Sequence, residues 1–478
     1  MPGKGLHDEF FFHHQSAGAG KNVRLALFYK GQAVTTSENS DKQQDLAGIV
    51  QLVLDTAKTC GATSSEADIG VGEGLSVTVR MGELETIEHQ RDKGMSVTVY
   101  VGQRKASAST TDFSDKAIRE SVEAACAIAK NASEDKYAGL IDARYIATEL
   151  PDLDLNHPWT ITAEQATELA LECETIARMS DKRINNADGT LVNAYSGQHM
   201  YGNSHGFIGG WDWSSHSIDC TVIAEENGMQ RDGWYSKARA SEDLEPVASI
   251  GRKAAKRTVE RLGSRKLSTR QCPVLFEAPL ASSLFGAFIG AISGGSLYRK
   301  ASFMLDKIDQ QIFADHIHIH ENPYLPRAMG SAPFDSDGMT TRTRDIVKDG
   351  ILQGYVLSAY SARKLGLEPT GNAGGVHNLH ITPGEQNMDS LIKTMHEGLL
   401  VTDMIGFGVN QVTGDYSRGA AGFWIENGEI QYPVEEITVA GNLLDMYMQI
   451  VAVGNDVDNR GNTRTGSVLI ENMTIAGE

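Results

Sequence analysis

LAGIVQLVLDTAK (46–58), SVTVR (76–80) and MSVTVYV (95–101) decide the fold class. In the first stretch apolar residues recur at helical spacing; in the other two they alternate with polar ones, as a half-buried strand requires. A helix followed by a hairpin is the expectation. Further along, Asp112 and Ser114 can cap a second helix, KAIRESVEAACAIAKNA (116–132), because their side-chain oxygens accept the orphan amide protons of its first turn. This first α+β unit ends near residue 135.

Pro151 and Pro158 separate it from a helix over 163–180 (AEQATELALECETIARMS), since proline resists continuing either element. The runs TLVNAYS (190–196) and HSIDCTVIAEENG (216–228), punctuated by Gly and Asn, predict short strands joined by tight turns, closed by a helix over 242–263. From about residue 265 an apolar helical stretch (277–292) precedes many short strands, with Asp349-Gly350 and Asn427-Gly428 as the clearest hairpin turns. The expected organisation is a flexible extension (1–43), an N-terminal α+β domain (44–150), a middle α+β domain (151–264) and a C-terminal β-rich domain (265–478). The class is α+β, ending in a mixed, largely antiparallel sheet or barrel.

With 478 residues, 41% of them hydrophobic, the chain can bury a large core. Its 62 acidic against 43 basic side chains give a formal charge of −19, which disfavours direct contact with nucleic acid and anionic lipid. Five cysteines (60, 126, 173, 220, 272) form no close pair, so reduced cytoplasmic thiols are expected rather than a disulfide framework or a zinc knuckle. No apolar run is long enough to span a bilayer, and the start MPGKGLHDEFFFHHQ does not read as an export signal.

Candidate chemistry is sparse. A zinc protease helix needs two histidines one turn apart beside a glutamate; His396-Glu397 begins such a pattern, but Gly398, Leu399, Leu400 and Val401 do not complete it, and the pair reads as a solvated helix end. In HIHIH, His316, His318 and His320 would share one face of a strand at about 6.6–7 Å spacing, a possible metal site. The same run is what an exposed strand with inward isoleucines looks like, and that reading is favoured. The glycine-rich stretches 289–296 and 371–375 match no phosphate-binding fingerprint, and there is no GxSxG elbow.

The blocks GGSLYRKASFMLD (294–306), PFDSDGMTT (333–341), YSARKLGL (360–367), TGNAGGVHN (370–378) and VTGDYSRGAAGFWIENGEIQYPV (412–434) resemble the PmbA (TldE) branch of the TldD/PmbA family. GNSHG (202–206), VIAEENG (222–228) and RKLST (265–269) extend the resemblance over nearly all of 45–478. It implies a cytoplasmic protease of two related chains, in which the TldD-type chain binds zinc through a His-Glu-x-x-x-His helix and a distant cysteine. The assembly would cleave unfolded or flexible peptides in an enclosed cavity, including microcin precursors and antitoxins. Carried onto PVLFEAPLASSLFGAF (273–288), the resemblance puts Phe276 at the first histidine, Glu277 at the glutamate and Ala281 at the second histidine. The cysteine would follow VGND (453–456), where VDNRGNTRTGSVL has none.

The resemblance therefore implies a chain without zinc of its own, no catalytic residues, Glu277 as a relic, and zinc in the TldD-type partner. Its work would be cavity wall and peptide binding, with Asp415, Tyr416, Arg418 and His377 as candidate contacts; a glycine-rich hairpin corner explains 415–423 equally well. A homodimer of the isolated chain stays open. Two other readings remain. One is an independent metal-dependent peptidase using His316, His318 and His320, or His377 and His380. The other is a regulatory binding protein acting on gyrase through protein partners.

Overall fold

The structure, a computed structural model, describes residues 45–477. The extension expected over 1–43 lies outside the described residues.

Strands β1 (Ser64–Arg80), β2 (Glu83–Val101), β3 (Arg104–Thr110), β4 (Ile184–Asn203), β5 (Ile208–Glu225) and β6 (Met229–Ala238) form one antiparallel sheet in the order β3-β2-β1-β4-β5-β6. Its helices are α1 (Leu46–Thr59), α2 (Asp115–Asn131), α3 (Ala163–Ser180) and α4 (Val247–Glu260). Alternation along β1 buries every second side chain, so each end of the sheet offers one apolar face. α1 and α2 cover Ile69, Met95 and Val97 at one end; α3 and α4 cover Val77, Val192 and Ile218 at the other. β1 pairs with β4 from Glu66 opposite Asn203 to Val79 opposite Thr190, so the segments 44–150 and 151–264 share this sheet.

Local signals explain most boundaries. Ser114 accepts from the Ala117 amide at 3.4 Å and caps α2 as expected, whereas Asp112 accepts from the amide of Ser114 itself at 2.9 Å and reaches no amide of the first turn. The helix predicted over 242–263 is shorter, because Pro246 cannot donate within a helix and stands at the N-cap of α4 behind a single 3-10 turn. The short strands predicted between 182 and 240 are instead long. Gly72, Gly74 and Gly197 sit inside strands, where a Cβ would strike the rings of Tyr195 or Trp213; those two rings stack at 5.9 Å across the sheet. β3 covers β2 only from Met95 to Val101, leaving the outer edge of Glu83–Gly94 unpaired among the described residues.

The C-terminal region contains β7 (Arg270–Phe276), α5 (Ala278–Ile292), β8 (Ile319–Glu321), β9 (Arg344–Lys348), β10 (Ile351–Leu352), β11 (Leu379–Ile381), β12 (Gly398–Ile405), β13 (Asp415–Glu426), β14 (Glu429–Asn442), β15 (Ile450–Val453), β16 (Thr463–Arg464) and β17 (Val468–Ala476). β14-β13-β12-β7-β17 closes through pairing of β14 with β17 into a five-stranded barrel, antiparallel except for β12 beside β7. Both expected hairpin turns form, at Asp349-Gly350 and Asn427-Gly428, with all four residues at positive φ. A smaller sheet, β10-β9-β8-β11-β16, packs its buried side chains into the same core. Only residues 319–321 of the HIHIH region are strand; His316 lies in a turn, so the three imidazoles do not share one strand face. Ile317 and Ile319 do point into the core.

Candidate functional site

β4 and β5 run side by side into the C-terminal region, and a cavity of about 450 Å³ lies where they meet it. His199 on β4 stands opposite Trp211 on β5, with ring centroids 4.6 Å apart. Trp213, two residues along the same strand, also lines the cavity, and Phe334 meets Trp211 edge-on at 5.0 Å. Much of the remaining wall comes from two of the sequence blocks quoted above, Phe334, Asp335 and Ser336 from one and Ala373 to His377 from the other, with Met329 to Ala332 beside them.

Buried polar groups hold these two loops together. Asp335 accepts from the amides of Asp337, Met339 and Ala373, each at 2.9 Å. Glu321 accepts from the His377 amide and the Asn372 side chain, both at 2.7 Å, and pairs with Arg344 at 2.9 Å. Burial pushes the Asp335 carboxyl above the ordinary carboxylate range, with Asp337 adding to the effect, and pulls the His377 imidazole down so that it is uncharged at neutral pH. Arg239, just past β6, completes the lining; it is 8% exposed and donates to the carbonyls of Ser214 at 2.9 Å and Met329 at 3.0 Å.

The positions that the resemblance assigns to the metal helix lie elsewhere. Phe276 ends β7, Glu277 is the N-cap of α5, and Ala281 sits in its first turn; Phe276 and Ala281 are both fully buried. A phenyl ring and a methyl group offer no lone pair. Glu277 is held by Arg257 of α4, whose Nη1 lies 2.7 and 2.9 Å from its two oxygens. Arg257 also reaches Asp232 at 3.4 Å and the Thr402 carbonyl at 3.1 Å. In the stretch where the cysteine would lie, Arg460 pairs with Asp458 at 2.8 Å and stacks on Trp234. These residues do not fit a zinc ion: the one carboxylate is already engaged by a guanidinium. Glu277 is therefore more than the relic expected of it, since it ties the α4 helix to the start of α5.

The other predicted residues scatter. Tyr416 is buried in the core of the C-terminal region. Arg418 donates to the Gly406 carbonyl at 3.0 Å and Asp415 accepts from Thr413 at 2.6 Å, both as local hairpin contacts. Of the four candidate peptide contacts, His377 alone lines the cavity. His316, His318 and His320 each face a different carboxylate, Asp315, Asp349 and Asp345. His320 stands opposite His380 across β8 and β11. No grouping of three metal-ligating side chains occurs among the described residues. His396 caps the helix over 388–395, as expected of a helix end. Sequence reasoning missed His199, Trp211, Trp213 and Arg239; the spacing of Trp211 and Trp213 on one strand face was the available signal.

The site is thus an aromatic cavity where the long antiparallel sheet meets the barrel-bearing region. Residues 269–477 match the PmbA/TldA metallopeptidase C-terminal domain, 156–262 its central domain and 66–129 its domain 1. The chain is 48% identical over 428 residues to the metalloprotease PmbA of Escherichia coli O157:H7, covering 89% of this chain and 94% of that one. It thus belongs to the PmbA branch of the PmbA/TldD metallopeptidase family. A Bacteroides thetaiotaomicron structure described as a candidate modulator of DNA gyrase superposes with a TM-score of 0.87 at 27% identity, covering 91% of this chain and all of that one. TldE from Thermococcus kodakarensis shares the fold, with a TM-score of 0.78 at 18% identity over 90% of this chain and all of that one.

Proposed function

We propose that this chain is the PmbA-type subunit of a two-chain zinc metalloprotease, binding peptide and forming cavity wall while a TldD-type partner holds the zinc. The observation that carries this reading is the Arg257–Glu277 pair: a cation occupies the glutamate that a metal centre would use as general base, and the flanking positions 276 and 281 offer no ligand. The substrates of this reading are unfolded or flexible peptides, and the compartment is the cytoplasm. The absence of any helix among the described residues long and apolar enough to cross a membrane accords with that compartment.

The test is co-expression with the TldD-type chain of the same organism, followed by size analysis and a peptidase assay with and without chelator. Cleavage only in the mixture, lost on chelation, is expected, with substoichiometric zinc in the isolated chain by atomic absorption. Tightly held stoichiometric zinc and chelator-sensitive cleavage by the isolated chain would overturn the reading.

A further inference from the structure

Arg239 has a feature the rest of the cavity does not explain. Its guanidinium carries five N–H donors and a permanent charge, yet its two hydrogen bonds go to neutral carbonyls, and its Nε has no partner. Burial alone shifts its pKa, downward to about 10, with no carboxylate contributing, so it stays charged at neutral pH. The one carboxylate in the lining, Asp335, is taken up by three backbone amides. His377 is uncharged there, and His199 gives its Nε2 to Asp68 at 2.8 Å. A buried cation without a counter-charge is costly, and in a chain carrying −19 a spare carboxylate would be easy to supply. The charge is left for something that enters the cavity.

We propose that Arg239 captures a carboxylate of a bound peptide, either its chain terminus or an acidic side chain, with an apolar side chain of that peptide against Trp211, Trp213 and Phe334. A planar guanidinium matches a carboxylate in a two-bond fork, and aromatic walls suit an apolar neighbour in a way that a simple anion would not use. This inference rests on the reading of the chain as a peptide-binding subunit, and names what the cavity selects. Ser336 and Gly374 stand at its rim; Ser336 is exposed, and a Cβ on Gly374 would meet the Ser336 hydroxyl, so the opening is narrow there.

The test uses the full-length chain alone, by calorimetry and by the fluorescence of the cavity tryptophans. Three probes are titrated: Ala-Ala-Phe with a free carboxylate, the same peptide amidated, and amidated Asp-Ala-Phe. The free acid is expected to bind at least about tenfold more tightly than its amide, as a charge-assisted pair in a dry site should. Arg239→Gln should erase that preference. Binding of amidated Asp-Ala-Phe like the free acid assigns a side-chain carboxylate, and binding of the free acid alone assigns the terminus. Should Arg239→Gln fail to fold, Ser336→Trp, at the exposed rim, should abolish binding of the acid. Equal binding of acid and amide, no binding of either, or a preference that survives these substitutions overturns the inference. Failure here alongside cleavage by the two-chain mixture would remove only the carboxylate anchor; success here without such cleavage would remove only the division of labour.

Discussion

At the scale of single residues, Arg257 makes the sharpest demand on stability. It is 19% exposed and stands between Glu277 and Asp232, each 14% exposed; Arg261 holds Asp232 from the other side at 3.3 Å. Arg257→Ala leaves the Glu277 carboxylate without its cation in a largely dry setting, and should lower stability by about 3 kcal/mol by chemical denaturation. The double change Arg257→Met with Glu277→Leu should recover most of that loss, since neither charge is then stranded. A single-mutant loss below about 1 kcal/mol would show the pair to be solvated and idle. Phe276, Glu277 and Ala281 could be singled out in the sequence only through the family resemblance, which carried the metal-helix pattern onto 273–288. Arg257 could not be, because it lies 20 residues upstream on another helix, where one more basic residue looks like any solvated side chain. Arg239 was hidden for the same reason: only the packed fold shows that a cation in SKARAS is buried and unpaired.

At the scale of elements, turn chemistry and period carried the reading, and long-range packing escaped it. α1, α2 and α3 begin and end near where apolar spacing and caps put them, and both Asp-Gly and Asn-Gly hairpins form. The histidines of HIHIH diverge because the strand there is three residues long, which alternation alone cannot foretell. Glycines between 182 and 240 read as turns, yet Gly197, Gly202, Gly210 and Gly233 lie inside strands where a Cβ would strike neighbouring atoms, Gly197 against the Trp213 ring of the next strand. The barrel depends on one such glycine. Gly422, where the pairing of β13 with β12 and β14 shifts register, has its missing Cβ directed at the Leu400 carbonyl. Backbone cannot step aside as a side chain can, so Gly422→Ala should cost about 1–3 kcal/mol, seen as a lowered denaturation midpoint. Gly286→Ala in α5, whose Cβ would meet open space, should be neutral or mildly stabilising. Equal effects of the two would refute the steric account of the barrel.

Across the whole molecule, the first sheet and the C-terminal region meet over buried acids. Glu66 of β1 accepts from Tyr100 at 2.9 Å and Tyr201 at 3.0 Å, and Tyr201 also donates to the Asp337 carbonyl at 3.2 Å. Burial raises the pKa of Glu66 and of Asp337, and Asp337 raises Glu66 further. Unfolded, these carboxyls lose their protons in the ordinary carboxylate range; folded, they keep them to higher pH. The native state then holds more protons through that window, so these groups favour folding at low pH and lose that contribution as pH rises. Asp337→Asn keeps the acceptor for the Ala359 amide but removes the titration. The stability of the parent relative to this variant should therefore fall as pH rises above the ordinary carboxylate range in paired thermal melts, and a constant difference would count against a proton-holding contact.

One exposed feature of the fold bears on behaviour at high concentration. The stretch of β2 that β3 leaves uncovered offers a row of free amides and carbonyls, the kind of template on which identical chains stack into fibres. Between Glu83 and Lys93 that row carries Glu83, Glu85, Glu88 and Asp92 with Arg91 and Lys93, all turned to water. A second copy approaching in register would press like charges together before any ladder could form, so this open rim also repels its own kind.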